Sequence, residues 1–502
     1  MHHLVKEIEL TLRESEIYNG DTLERILRPE YSNLHFPLAQ KIVFRFAGDG
    51  LYEDEDEINV VEAEANVNVL LQWVKQLAPL LVEIDVFTPS NTGQAYQRLD
   101  QNYGGFVSQL LLLAKRVSFF ENERSVSNML QLDGICDLTD LRYNIHDDSE
   151  KFIQLARQCA SSLQTLAINS SMTLDISGIV KDADGSYIVY PHLTALELRL
   201  YTSSASPGSR VFEGAVPFPK LRRLGIHHGY PFDDDTLFRG NAATLESLRV
   251  NLSGTLVGII KRYSVFTLNS HPKLQFVDYW VFILEFVPIR FADCAAFVRF
   301  LLALAPHATV VHIEGVPINI AYLPSFSVLC NYTHIQRLYM KYVVPSLWDV
   351  IALIKSLPLL SDLQTWAPQL TPLPTGIDEA NAQNHVLTNY SPIGERFRCW
   401  HVNYDDTCDL EEIVKCVLTL ALACPNFTYA AVDKKQRLDF MEMMKAVVES
   451  PEFMVDSYMF NNHISVDAIT SHMEDIRASE DLTSDWIYKD EFDRKFVNGS
   501  SP

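Results

Sequence analysis

The sequence predicts an α/β solenoid, on three observations. An apolar ladder with slots at i, i+3 and i+5 recurs along the chain, and helix-period segments fall between its rungs. The rungs return at a mean step of about 30 residues, at the long edge of the leucine-rich repeat range. The clearest rungs are Pro191-His192-Leu193-Thr194-Ala195-Leu196-Glu197-Leu198, Pro219-Lys220-Leu221-Arg222-Arg223-Leu224-Gly225-Ile226 and Ala243-Thr244-Leu245-Glu246-Ser247-Leu248-Arg249-Val250.

Slots i+3 and i+5 lie two residues apart, so they leave a strand on one face while i+2, i+4 and i+6 leave on the other. With the slots relaxed to any apolar residue, rungs start at Val5, Ala39, Leu81, Ala114, Leu138, Leu163, Leu193, Leu221, Leu245, Leu274, Ala308, Ile335, Leu363, Phe397 and Phe427. Helical periods run from Val67 to Ala78, Glu150 to Ala160, Ala295 to Ala305, Leu347 to Leu357 and Leu410 to Ala423. Parallel strands stack at about 4.8 Å and helices at about 8–10 Å, so such a stack bends with its strands inside. The expectation for residues 1–435 is therefore a leucine-rich repeat solenoid, a curved horseshoe with parallel strands on the concave face and helices on the convex face. A doubly wound parallel sheet is the alternative that the same alternation describes.

The widest step, from Ala39 to Leu81, encloses the acidic stretch Asp49 to Glu57, which reads as a solvated loop. After Phe427 the ladder weakens. Amphipathic periods from Gln436 to Val448 and Val466 to Ile476, with a strand-like segment from Phe453 to Phe460, predict a C-terminal helical cap over residues 436–476. Residues 477–502 are acidic and polar and read as a loosely ordered tail.

Composition narrows the function. The 502 residues carry 64 acidic and 41 basic side chains, a formal charge of −23, which disfavours a nucleic-acid binder because backbone phosphates are held by Lys and Arg. Charges interrupt the first nine residues where a secretory signal needs an apolar stretch, and no apolar run reaches 18 residues. The expected setting is cytoplasmic or nuclear, away from membranes. The eight cysteines are scattered without a C-x-x-C pair, so they read as core thiols and not as a disulfide framework or zinc knuckle.

Two clusters invite a chemical reading. His227-His228-Gly229-Tyr230-Pro231-Phe232-Asp233-Asp234-Asp235 has the composition of a metal site, but no metal-site spacing. Its aspartates serve equally as helix caps. In the group Cys399, His401, Cys408, Cys416 and Cys424, the ladder phase puts Cys399 and His401 on the outward face of one strand. Cys416 and Cys424 fall inside an apolar helix. Buried thiols are the expectation, and neither a metal nor another cofactor is assigned. No G-x-S-x-G, Walker or G-x-G-x-x-G motif occurs, so the reading is non-catalytic.

The outward positions i+2, i+4 and i+6 concentrate guanidinium groups and rings. Arg199, Arg223, His227, Arg249, Phe276, Trp280, Arg337, Tyr339 and Lys341 form an expected protein-binding strip, set among Glu197, Asp278 and Glu314. Its expected ligand is an acidic or phosphorylated peptide.

The Phe218-Pro219-Lys220-Leu221-x-x-Leu224 opening and the Asn241-x-x-Thr244-Leu245-Glu246-x-Leu248 unit resemble the leucine-rich repeat proteins of fungi, particularly those attached to F-box domains. That resemblance spans roughly Val5 to Val432. It implies a substrate-recognition subunit of a cullin-based ubiquitin ligase, docked to the ligase adaptor by an F-box. Here the chain opens on a strand, Val5 to Leu12, with no Leu-Pro-x-Glu-Ile-type helical module before it, so the F-box is expected to be absent or degraded. Two alternatives belong to other classes: a leucine-rich regulator of a small GTPase, and a metal-dependent enzyme with its site near His227 and Asp233.

Overall fold

The computed structural model describes residues 5–13, 34–47, 60–87, 107–120, 130–145, 150–174, 177–182, 184–203, 216–227, 243–254, 273–283, 299–300, 302–303, 305–314, 329, 331–340, 344–370, 376, 385–386, 392–427, 429–431 and 437–449. The acidic stretch 49–57, Asp233 to Asp235, Lys341, the segments 453–460 and 466–476 and the tail 477–502 lie outside them, as does most of the helical segment expected from Ala295. The chain divides into two compact units, residues 1–253 with 258–274, and residues 254–257 with 275–502.

Among the described residues, the first unit carries β1 (Glu7–Arg13), β2 (Lys41–Ala47), β3 (Glu83–Phe87), β4 (Arg116–Phe120), β5 (Asp140–Ile145), β6 (Thr165–Leu174), β7 (Ala195–Ser203), β8 (Arg223–His227) and β9 (Ser247–Gly254). Helix α1 (Val60–Leu77) precedes β3, α2 (Glu150–Gln158) precedes β6, and the single turn α3 (Ser177–Val180) precedes β7. The second unit carries β10 (Phe276–Ile283), β11 (Val310–Glu314), β12 (Arg337–Tyr339), β13 (Asp362–Trp366), β14 (Cys399–Asn403) and β15 (Tyr429–Ala431). Its helices are α4 (Leu347–Ser356), α5 (Leu410–Ala423) and α6 (Arg437–Glu449). Within each unit every strand pairs in parallel with the next in chain order, so the α/β class holds and the sheets are all-parallel.

The ladder slots form the core. Leu221, Leu224 and Ile226 are fully buried, as are Ala39, Ile42 and Phe44, and the equivalents in β5, β6, β7 and β9 are nearly so. In many rungs a tight turn closes the slot-i amide onto the carbonyl three residues back. Leu221 N reaches Phe218 O at 3.2 Å, Ile335 N reaches Tyr332 O at 3.1 Å and Phe397 N reaches Gly394 O at 2.9 Å. One carbonyl per coil then accepts two successive amides from the next coil. Thr194 O takes Arg222 N and Arg223 N, both at 2.9 Å, and Thr309 O takes Gln336 N at 2.8 Å and Arg337 N at 3.0 Å. Threonine and serine at i+1 reinforce this fork: Ser361 Oγ donates to Gln336 O at 3.0 Å. The backbone groups at each strand start are thereby paired coil to coil.

One rung shifts. The ladder reading starts a rung at Leu363, whereas Leu363 pairs with Leu338, the i+3 residue of its neighbour, and Leu360 N makes the slot-i bond to Leu357 O at 3.0 Å. The rung is Leu360, Leu363, Thr365. A hydroxyl in the last slot hides it from an apolar search, and burial is tolerated because Trp400 Nε1 donates to Thr365 Oγ1 at 3.0 Å.

Helices α4 and α5 lie where the period predicts and are capped by local sequence. Ser346 Oγ accepts from Asp349 N at 3.1 Å and Asp349 Oδ2 accepts from Ser346 N at 3.0 Å, a reciprocal capping box. Asp409 Oδ1 accepts from Glu411 N at 3.0 Å and Glu412 N at 3.2 Å. Helix α5 buries Ile413, Val414, Val417, Leu418 and Leu420 together with Cys416. Burial pushes the Cys159 thiol up to about 11 and the Cys424 thiol up to about 12, and raises Cys416 as well, so these core thiols stay protonated at neutral pH. No helix among the described residues is long and apolar enough to cross a membrane.

Candidate functional site

Strand register decides which outward side chains become neighbours. In the second unit one outward row runs Phe276, Val310, Arg337, Asp362, Cys399, and the row two residues on runs Asp278, His312, Tyr339, Gln364, His401. Parallel strands lie about 4.8 Å apart, so these residues meet side by side.

The second row is a chain of contacts. Asp278, only 1% exposed, places Oδ1 3.0 Å from His312 Nδ1. The His312 ring meets Tyr339 edge-on with centroids 6.0 Å apart, and Tyr339 meets His401 likewise at 6.2 Å. Within the first row, Arg337 Nε lies 3.8 Å from Asp362 Oδ2, which shares the Ser361 hydroxyl proton with Gln336 O. Asp362, Cys399 and His401 bring a carboxylate oxygen, Sγ and an imidazole nitrogen to within 4.8 Å of one another. Burial lowers the His401 imidazole from its usual range, helped by Arg337 and opposed by Asp362. Burial raises the Tyr339 phenol, and the charge of Asp362 adds to that. At neutral pH the imidazole of His401 therefore keeps a lone pair and Tyr339 its proton. Sulfur, nitrogen and oxygen donors in one cluster form a set suited to a borderline divalent cation.

Across β1 to β4 of the first unit the outward rows carry paired charges. Lys41 Nζ sits 2.9 Å from Asp85 Oδ2, 3.3 Å from Glu83 Oε1 and 3.7 Å from Glu7 Oε2. Burial pulls this ammonium down, but Asp85, Glu83 and Glu7 together outweigh it and hold Lys41 above the ordinary lysine range. Arg116 Nη2 lies 3.2 Å from Glu83 Oε2, and the Arg45 guanidinium stacks 4.3 Å from the centre of the Phe87 ring. Gly225 stands between Glu197 and Arg249 in the register, and a Cβ there would meet Glu197 Cγ at 3.1 Å, so the glutamate lies over the glycine.

The sequence-predicted strip divides accordingly. Arg223 opens β8 half-buried, and Arg249 in β9 is 5% exposed. Phe276, Arg337 and Tyr339 are half-buried in the second unit, with Tyr339 and Arg337 inside the cluster just described. Arg199 and His227 are register partners, and Trp280 pairs with Glu314, while the side chains of Arg199, His227 and Trp280 lie outside the described part. The five-membered Cys/His group splits: Cys399 and His401 stand together on β14, whereas Cys416 and Cys424 are core and Cys408 belongs to the turn before α5.

Sequence reasoning missed Asp362 because the slipped rung moved it out of the outward phase; from Leu360 it is i+2. Lys41, Glu83 and Asp85 follow from the same arithmetic applied to the rungs at Ala39 and Leu81. No protein-family model matches the chain, and no curated protein matches it either.

Proposed function

We propose that the chain is a leucine-rich repeat scaffold, non-catalytic, that holds a protein partner against the outward faces of its strands. The observation that carries this reading is the parallel register at the strand starts of each unit, which slips only beyond Ser170 between β6 and β7: successive coils contribute one side chain to each row at strand spacing, so charges and rings are displayed as an extended array. Such an array suits an extended or helical segment of a partner, whose own side chains meet successive coils. An acidic or phosphorylated partner segment fits best, with Arg223 and Arg337 as half-exposed anion contacts and Tyr339 and Phe276 as ring surfaces. The likeness to fungal F-box repeat proteins extends the proposal to substrate capture for a cullin-based ligase, whose adaptor would then co-purify.

Arg223→Glu and Arg337→Glu, made separately, test the reading in affinity purification of the full chain followed by mass spectrometry. Each charge reversal is expected to lower recovery of the main partner by at least about tenfold, roughly 1.4 kcal/mol. Unchanged recovery by both variants, with melting temperatures like the parent's, would retire the anion-binding strip.

A further inference from the structure

We propose that Asp362, Cys399 and His401 form a zinc-class divalent cation site that bridges β13 and β14. Three independent features of the chain converge there. Cys399 and His401 are two apart on one strand and therefore leave the same face, while Asp362 is the register partner of Cys399 on the adjacent strand. Three donors on two hydrogen-bonded strands are held by backbone geometry and not by a loop, which is the rigid support a metal centre needs.

The second feature is distance. The three donor atoms already lie within 4.8 Å of one another. Zinc–ligand bonds of about 2.0–2.3 Å in a tetrahedron put donors about 3.3–3.8 Å apart, so loading requires a contraction of at most about 1–1.5 Å. Asp362 and His401 keep some exposure whereas Cys399 is fully buried, so the adjustment falls to the carboxylate and the imidazole.

The third feature is the surrounding shell. Ser361 Oγ and Arg337 Nε both contact Asp362 Oδ2, which orients the carboxylate and leaves Oδ1 to coordinate. A thiolate and a carboxylate carry the two negative charges that balance a dication, and imidazole supplies the third ligand. Mixed S, N and O donors select zinc over calcium or magnesium. Three protein ligands leave a fourth position for water or for a group from a bound partner.

Cobalt(II) alone is the probe. The full chain, stripped with a chelator and dialysed, is titrated with Co²⁺ and then with Zn²⁺. The expected result is one equivalent of cobalt giving a near-ultraviolet thiolate-to-metal band and visible ligand-field bands, all displaced by zinc. Cys399→Ser removes the thiolate band, and Cys408→Ser keeps it. Because Cys399 is buried, Asp362→Asn and His401→Gln provide a second line: each keeps the parent's unfolding transition and weakens cobalt binding by at least about tenfold, the smaller loss seen when even an outer partner of a metal site is removed. Absence of the thiolate band in the parent chain, or a band and affinity that Asp362→Asn and His401→Gln leave unchanged, overturns the site. Neither outcome bears on whether a partner binds the strand faces, which is read by the purification described above.

Discussion

Replacing Trp400 with alanine is expected to destabilise the second unit by about 3–5 kcal/mol, the range for deleting a large buried aromatic side chain. Trp400 is fully buried and occupies the i+3 slot of β14, in register between Leu363 and Ala430. Two losses combine in the alanine variant. The ring volume is left as a cavity, and the Thr365 hydroxyl, fully buried, loses the indole N–H that reaches it at 3.0 Å. Trp400→Phe separates them, since it keeps most of the volume and removes only the donor. Its cost should be nearer the roughly 1–3 kcal/mol of an unpaired buried polar group. Adding Thr365→Val to Trp400→Phe should then recover part of that cost, because both partners are gone together. Urea unfolding of the parent, these three variants and Thr365→Val alone measures the set and closes the double-mutant cycle. Additive losses in the double variant would show that the hydroxyl and the indole are not coupled.

Removing the ammonium of Lys41 has a comparable expected effect in the first unit. Lys41→Met leaves Asp85, whose side chain is 4% exposed, without the cation 2.9 Å away, and it leaves Glu83 and Glu7 beside it. Breaking a buried pair from one side costs about 3–5 kcal/mol. Lys41→Met combined with Asp85→Leu should be milder than Lys41→Met alone, because the buried orphaned carboxylate is gone and Glu83 on β3 keeps Arg116 as a partner. The pH dependence follows from the direction of the lysine shift. Lys41 binds its proton more tightly folded than its ordinary value of 10.5, so its contribution is complete below that value and fades only as pH rises through the higher folded value. The stability gap between parent and Lys41→Met should therefore stay level from neutral pH to about pH 9, measured by urea unfolding.

Much of this architecture was legible in the ladder. Leu193, Leu196 and Leu198 or Leu221, Leu224 and Ile226 are read as inward because apolar side chains two apart must share a strand face, and they are buried. Leu347 to Leu357 and Leu410 to Ala423 carry helical periods bounded by Ser346 and Asp409, and α4 and α5 end within a residue of those limits. What escaped was polar. A buried threonine satisfies its slot only through a tryptophan 35 residues away, and no local pattern reports that bond. Asp362 became invisible for the same reason, and with it the carboxylate of the cluster. Cys399 and His401 were read on their common face, but their meeting with Asp362 depends on β13–β14 register, which periodicity along one strand does not contain. The pairing of Lys41 with three carboxylates is likewise a cross-strand fact, built from residues that look individually like ordinary solvated positions.

Site-specific photo-crosslinking on the captured complex puts the recognition face to the most direct test. A photoreactive phenylalanine analogue at Phe276, on an outward strand row, is to be compared with the same residue at Ala352, exposed on helix α4. The account predicts a crosslinked partner from position 276 and none from position 352. Crosslinking from the helix position alone would contradict it.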